Sequence, residues 1–129
     1  MNHPLRFILL IEDDPDIQEV AKMSLEEVGG FDVTACGSGR EALDIVSRVR
    51  PDLLIIDFMM PGMDGGETLA ALRARPDAAT IPAVFMTAKV RPEEVTRMLA
   101  MGAADVIPKP FDPITLPDQV NAIWVRIHG

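Results

Sequence analysis

Glu12 and Asp13 follow the apolar run FILLI, Asp57 closes LLIID, Thr87 closes AVFMT, and Lys109 follows DVIP. Each polar group stands where an apolar stretch runs out. If those stretches are parallel strands of one sheet, all five groups share one edge. Two carboxylates about 4 Å apart repel by roughly 4 kcal/mol at an effective dielectric near 20. Three in one place must either raise their pKa values or hold a cation. A set of hard oxygen donors suits Mg2+, with Mn2+ as the alternative. A carboxylate beside such an ion, an ammonium and a hydroxyl is equipped for phosphoryl transfer. Asp57 would be the nucleophile, while Lys109, Thr87 and backbone N–H groups of Ala88 or Phe58 would hold phosphoryl oxygens.

The elements that must position these residues follow from the apolar rhythm. Strands are expected over Phe7–Ile11, Phe31–Cys36, Leu53–Asp57, Ala83–Thr87 and Asp105–Ile107. Three are near-continuous hydrophobic runs, as in parallel strands covered on both faces. Helices lie between them. Asp14 before Pro15 reads as an N-cap with proline at the first position, and Ile17, Val20, Ala21, Ser24, Leu25 and Val28 keep a 3.6-residue period until Gly29-Gly30. Ser38 to Glu41 is a capping box, followed by Ala42, Ile45, Val46 and Val49. A third helix is expected from about Gly66 to Arg75, burying Leu69 and Leu72. A fourth runs from Pro92 to Gly102 and buries Val95, Met98 and Leu99. The last carries Val120, Ile123, Trp124 and Ile127. Asp112-Pro113 resembles a helix start, but Pro117 would obstruct it, so the last helix either kinks or begins near Pro117.

This alternation predicts an α/β fold, (βα)5, with a doubly wound parallel sheet of five strands in the flavodoxin-like order 2-1-3-4-5 and right-handed crossovers. Ligands of such sheets bind at the carboxyl ends of the strands. A chain of 129 residues with 48% hydrophobic composition suits a single domain over 1–129. Its net charge of −8 disfavours direct nucleic-acid binding. No apolar run approaches the ~20 residues that span a bilayer, and a cytoplasmic location is the simplest expectation. The lone Cys36 reads as a small core hydrophobe. His3 and His128 read as solvent-facing, and Trp124 as packing.

LLIEDDPDI, DFMMPGMDG, MTA and KPF together resemble the receiver domain of two-component response regulators across the whole chain. Thr87 lies thirty residues after Asp57, and Lys109 fifty-two after it. The resemblance implies that Asp57 is the phosphoacceptor, that Glu12, Asp13, Asp57 and the Met59 backbone carbonyl hold Mg2+, and that Thr87 and Lys109 sense the phosphoryl group. It implies a cis Lys109-Pro110 bond. It also implies a histidine kinase or phosphotransfer protein as donor, a downstream target or fused output domain, and a monomer or weak dimer.

Two departures matter. Val106 stands where such domains usually carry an aromatic residue, so a switch is expected to work through the loop after Thr87 and the fourth helix alone. Met59 and Lys89, two positions beyond Asp57 and Thr87, imply slow loss of the phosphoryl group. An aspartate-nucleophile phosphatase would need a second acid at Met59 and is disfavoured. A pseudo-receiver, docking without phosphorylation, is the alternative that Val106 sustains.

Overall fold

The computed structural model describes residues 3–128. Its elements are β1 (Phe7–Ile11), α1 (Pro15–Met23), β2 (Asp32–Cys36), α2 (Gly39–Val49), β3 (Leu53–Asp57), α3 (Gly65–Arg73), β4 (Ala83–Thr87), α4 (Pro92–Ala100), β5 (Asp105–Pro108) and α5 (Leu116–His128). All strand pairs are parallel and the order is β2-β1-β3-β4-β5, as the alternation of runs predicts.

Alternate residues of each strand feed two cores. Ile8, Leu10, Leu53, Ile55, Val84 and Met86 pack against Ala21 and Leu25 of α1 and Val120, Ile123 and Trp124 of α5. Leu9, Ile11, Leu54, Ile56 and Phe85 pack against Ala42 and Val46 of α2, Leu69 and Leu72 of α3, and Met98 of α4. β3 and β4 are buried along their full length. That is why their sequences read as unbroken apolar runs and why an aspartate at the end of β3 stands out.

Local differences from the expected elements have physical causes. Phe31 precedes β2 rather than opening it, although its ring still packs against the first core. After Met23 the helix widens into a π turn over Ser24–Val28, in which the N–H of Gly29 donates to the carbonyl of Ser24. The wider turn breaks the 3.6-residue rhythm, and Val28 ends exposed; Val20 is exposed as well. Leu99 is likewise exposed, because α4 seats only Met98 fully. Asp112-Pro113 forms a turn, with Asp112 accepting from the N–H of Ile114, and α5 starts at Leu116. Pro117 therefore falls in the first turn, where its missing N–H breaks no bond. His3 and His128 do not simply face solvent. Their rings flank Trp124, with centroids 5.5 and 3.8 Å away, and the indole Nε1–H donates to the His3 carbonyl.

Candidate functional site

Three strand ends and the residues just after them meet at one edge. The register pairs Ile11 with Ile56 and Asp57 with Met86, so the ends of β1, β3 and β4 are level. Glu12, which is 1% exposed, is anchored by its backbone N–H to the Cys36 carbonyl. Asp14 caps α1 by accepting from the N–H groups of Asp16 and Ile17, as its place before Pro15 predicts, and its own N–H donates to Glu12. Gln18 was not singled out by sequence. Its side-chain amide donates to the carbonyls of Glu12 and Cys36 at 2.9 and 3.0 Å, fastening α1 across the ends of β1 and β2. A lone glutamine one turn into a helix carries no sequence signal of that task.

Asp64 and Glu67 form a reciprocal capping box at the start of α3. A Cβ on Gly65 would sit 2.7 Å from the Phe58 Cα and 2.8 Å from the Asp57 carbonyl oxygen. Only glycine lets α3 begin directly against the backbone that presents Asp57.

Carboxylate oxygens of Glu12, Asp13 and Asp57 lie within 4.8 Å of one another. Asp57 is 4% exposed and Thr87 1%. The Lys109 ammonium is 2.7 Å from Glu12 Oε1 and 3.2 Å from Asp57 Oδ1. These five residues line one cleft of about 270 Å³ with Asp14, Ile17, Met59 and Ala88. The backbone N–H of Lys109 donates to the Thr87 carbonyl, and the next peptide bond, Lys109-Pro110, is cis. The Thr87 hydroxyl accepts from the N–H of Lys89, and Asp57 Oδ1 accepts from the N–H of Met59.

The electrostatics are those of an acid cluster with too few cations. Burial, then the neighbouring Glu12, pushes the Asp57 carboxyl above its ordinary range, outweighing Asp13 and Lys109, which pull it down. Desolvation and the adjacent Asp57 likewise push Asp13 up. Burial alone would depress Lys109, but Glu12 and Asp57 together raise it. By contrast, burial pushes the Cys36 thiol up to about 11, in keeping with a packing residue. Three hard oxygen donors and one ammonium make a site able to take a divalent cation and an anion together.

Among the described residues, no helix is long and apolar enough to cross a membrane. The response regulator receiver domain family matches residues 8–121, and this chain belongs to that family. It is a signalling module of a kind whose general role is phosphorylation-based. The chain is similar to an uncharacterized 14.6 kDa protein of Leptolyngbya boryana, with 38% identity over 84% of this chain and 82% of that protein. It is also 39% identical to the DNA-binding response regulator MtrA of Mycolicibacterium smegmatis, over 89% of this chain but only 49% of MtrA. The chain thus spans about half of that relative's length. Among solved structures, the chemotaxis protein CheY4 of Vibrio cholerae superposes with a TM-score of 0.85 at 29% identity, covering 92% of this chain and 98% of CheY4.

Proposed function

We propose that this receiver domain accepts a phosphoryl group on Asp57 from a phosphohistidine donor and changes a protein-interaction surface in response. One observation supports this above all: three carboxylates crowd within 4.8 Å, and Lys109 bridges two of them. Glu12, Asp13 and Asp57 fit a resident Mg2+ by donor chemistry, with the Met59 carbonyl as a further candidate ligand. When bound, that ion supplies charge neutralisation on the phosphoryl oxygens. An Asp57 carboxylate oxygen attacks phosphorus as the P–N bond of the donor breaks, and the imidazole leaves with the electron pair and takes up a proton. Lys109 holds a phosphoryl oxygen as a point charge, and the Thr87 hydroxyl donates to another once it turns toward it.

The donor reaches Asp57 from the α1 side. An apolar groove of about 410 Å³ adjoins the cleft there, lined by Ile17, Val20, Pro110 and Phe111 beside Lys109. It accounts for the exposure of Val20, which the sheet leaves unburied. A histidine kinase or phosphotransfer protein is the partner class this implies, in the cytoplasm, with the output lying in a separate target or in a further domain.

Incubation with Mg2+ and acetyl phosphate should add one phosphoryl group by intact mass, and Asp57→Asn should abolish it. Absence of the adduct in the intact chain would favour the second reading, a docking module that signals unphosphorylated. Val106, half-buried where an aromatic is usual, is the observation behind that alternative.

A further inference from the structure

We propose that the groove between the β3–α3 loop and α4 docks an acidic segment of a partner protein. One apolar side chain of that segment enters the groove, and its flanking carboxylates meet Lys89 and Arg97. The inference rests on the reading of Asp57 as phosphoacceptor only for the link between docking and phosphorylation.

The groove measures about 230 Å³, with Phe58, Met59, Met98 and Met101 as its apolar wall and Lys89 and Arg97 at its rim. That is smaller than a drug-sized pocket and suits a single side chain. Met59 and Met101 are 53% and 43% exposed, a large apolar outlay on a small surface. The Met101 thioether lies over Gly66, where a Cβ would stand 3.2 Å from the sulfur, so the absence of a side chain there lets α4 close on α3. Unbranched thioethers adapt to different apolar shapes, which favours recognition of a segment over one rigid ligand.

Charge selects the occupant. The chain carries a net charge of −8, yet among the described residues neither Lys89 nor Arg97 has a carboxylate at salt-bridge distance. Glu94, on the same wall, directs one oxygen back to the N–H of Arg91. Unpaired cations beside an apolar groove are complementary to an acidic segment, while the net charge opposes a second copy of this chain.

The groove is also wired to the acid cluster. Lys89 holds its place through its N–H on the Thr87 hydroxyl at 3.1 Å, and Met59 through its N–H on Asp57 Oδ1 at 3.2 Å. A phosphoryl group on Asp57 esterifies its carboxylate and accepts from the Thr87 hydroxyl, so it alters both residues from which Met59 and Lys89 hang. This route needs no aromatic at Val106.

Random twelve-residue peptides displayed on phage, selected against the intact chain with and without Mg2+ and beryllofluoride, test the proposal. Selected sequences should be net acidic around one apolar residue, and a synthesised winner should shift the Met59, Met98 and Met101 methyl signals. Arg97→Glu should weaken it about tenfold or more. Met101→Ala, which leaves charge unchanged, should weaken it too, and both variants should still take phosphoryl from acetyl phosphate. Affinity should differ about fivefold or more between the two states. Peptides without acidic bias, no enrichment, indifference to Arg97→Glu, or self-association at the same methyls would each overturn the docking site. Equal affinity in both states would overturn the link. A missing adduct with peptides still selected would refute the phosphoacceptor reading alone, and an adduct without peptides would refute this inference alone.

Discussion

Two aspartates flank β3, five residues apart, and the protein treats them in opposite ways. Asp52, before the strand, accepts the N–H groups of Arg6 and Phe7 at 3.1 and 2.9 Å, while its own N–H donates to the Phe7 carbonyl. It is an acid satisfied by neutral donors, and it clamps the start of β3 to the start of β1. Asp57, at the other end, meets Glu12 and Asp13, one backbone N–H and a shared lysine. The same residue type is structural at one end and held against electrostatic opposition at the other. The fully buried strand between them supplies the stability that keeps Asp57 where it is. A fold does not crowd three carboxylates for its own stability, so the crowding marks a place reserved for something else.

Removing the cation that bridges Glu12 and Asp57 should show the largest effect. Lys109→Met leaves Glu12, whose side chain is 2% exposed, without its 2.7 Å partner. The metal-free protein should lose about 2–3 kcal/mol in urea denaturation, less than a fully enclosed pair would because Lys109 is partly solvated. Added Mg2+ should recover part of the loss. A smaller loss than Asp52→Ala produces would break the contrast between the two ends.

Asp52→Ala removes two backbone hydrogen bonds and should cost about 1–2 kcal/mol by the same measurement. This cost should not respond to Mg2+. Sensitivity to the ion would mean that the amino end of the sheet is not independent of the site.

Asp57→Asn should act in the opposite direction, raising metal-free stability near neutral pH, by less than either loss above. The sign follows from titration. The folded Asp57 carboxyl sits above its unfolded value, so the folded state binds that proton more tightly, and stability falls as pH rises from the unfolded value through the folded one. Asparagine has no proton to lose. The advantage of the variant should open across that window and vanish below the unfolded carboxylate range. Thermal melts from acidic to neutral pH would decide it, and an advantage that persisted in acid would have to come from packing.

Much of this was legible in the residues. Unbroken apolar runs could only be strands covered on both sides, and once they were parallel and in sequence, the positions of Glu12, Asp13, Asp57, Thr87 and Lys109 followed from topology. Asp14-Pro15 and Ser38 located helix starts because capping is chemistry within three residues, although the Ser38–Glu41 box closes only on the Ser38 side and Glu41 accepts from the Gly37 N–H instead. What failed was burial on short helices. Leu99 and Val20 have the right period, but a nine-residue helix rests only a narrow stripe on the sheet. The π turn at Ser24–Val28 was invisible too, since it depends on α1 meeting the loop before α5, where the Ser24 hydroxyl donates to the Pro113 carbonyl.

Local sequence, then, determined the strands, the helix starts and which side chains have the chemistry for a charged site, because those depend on period, capping and residue type. Only the tertiary structure decided that Gln18 ties two strands together, that Gly65 admits α3 against Asp57, and that Met59 and Lys89 hang from the Asp57 carboxylate and the Thr87 hydroxyl. Those facts depend on distances between segments far apart along the chain, and such distances are set by the packing of both sheet faces.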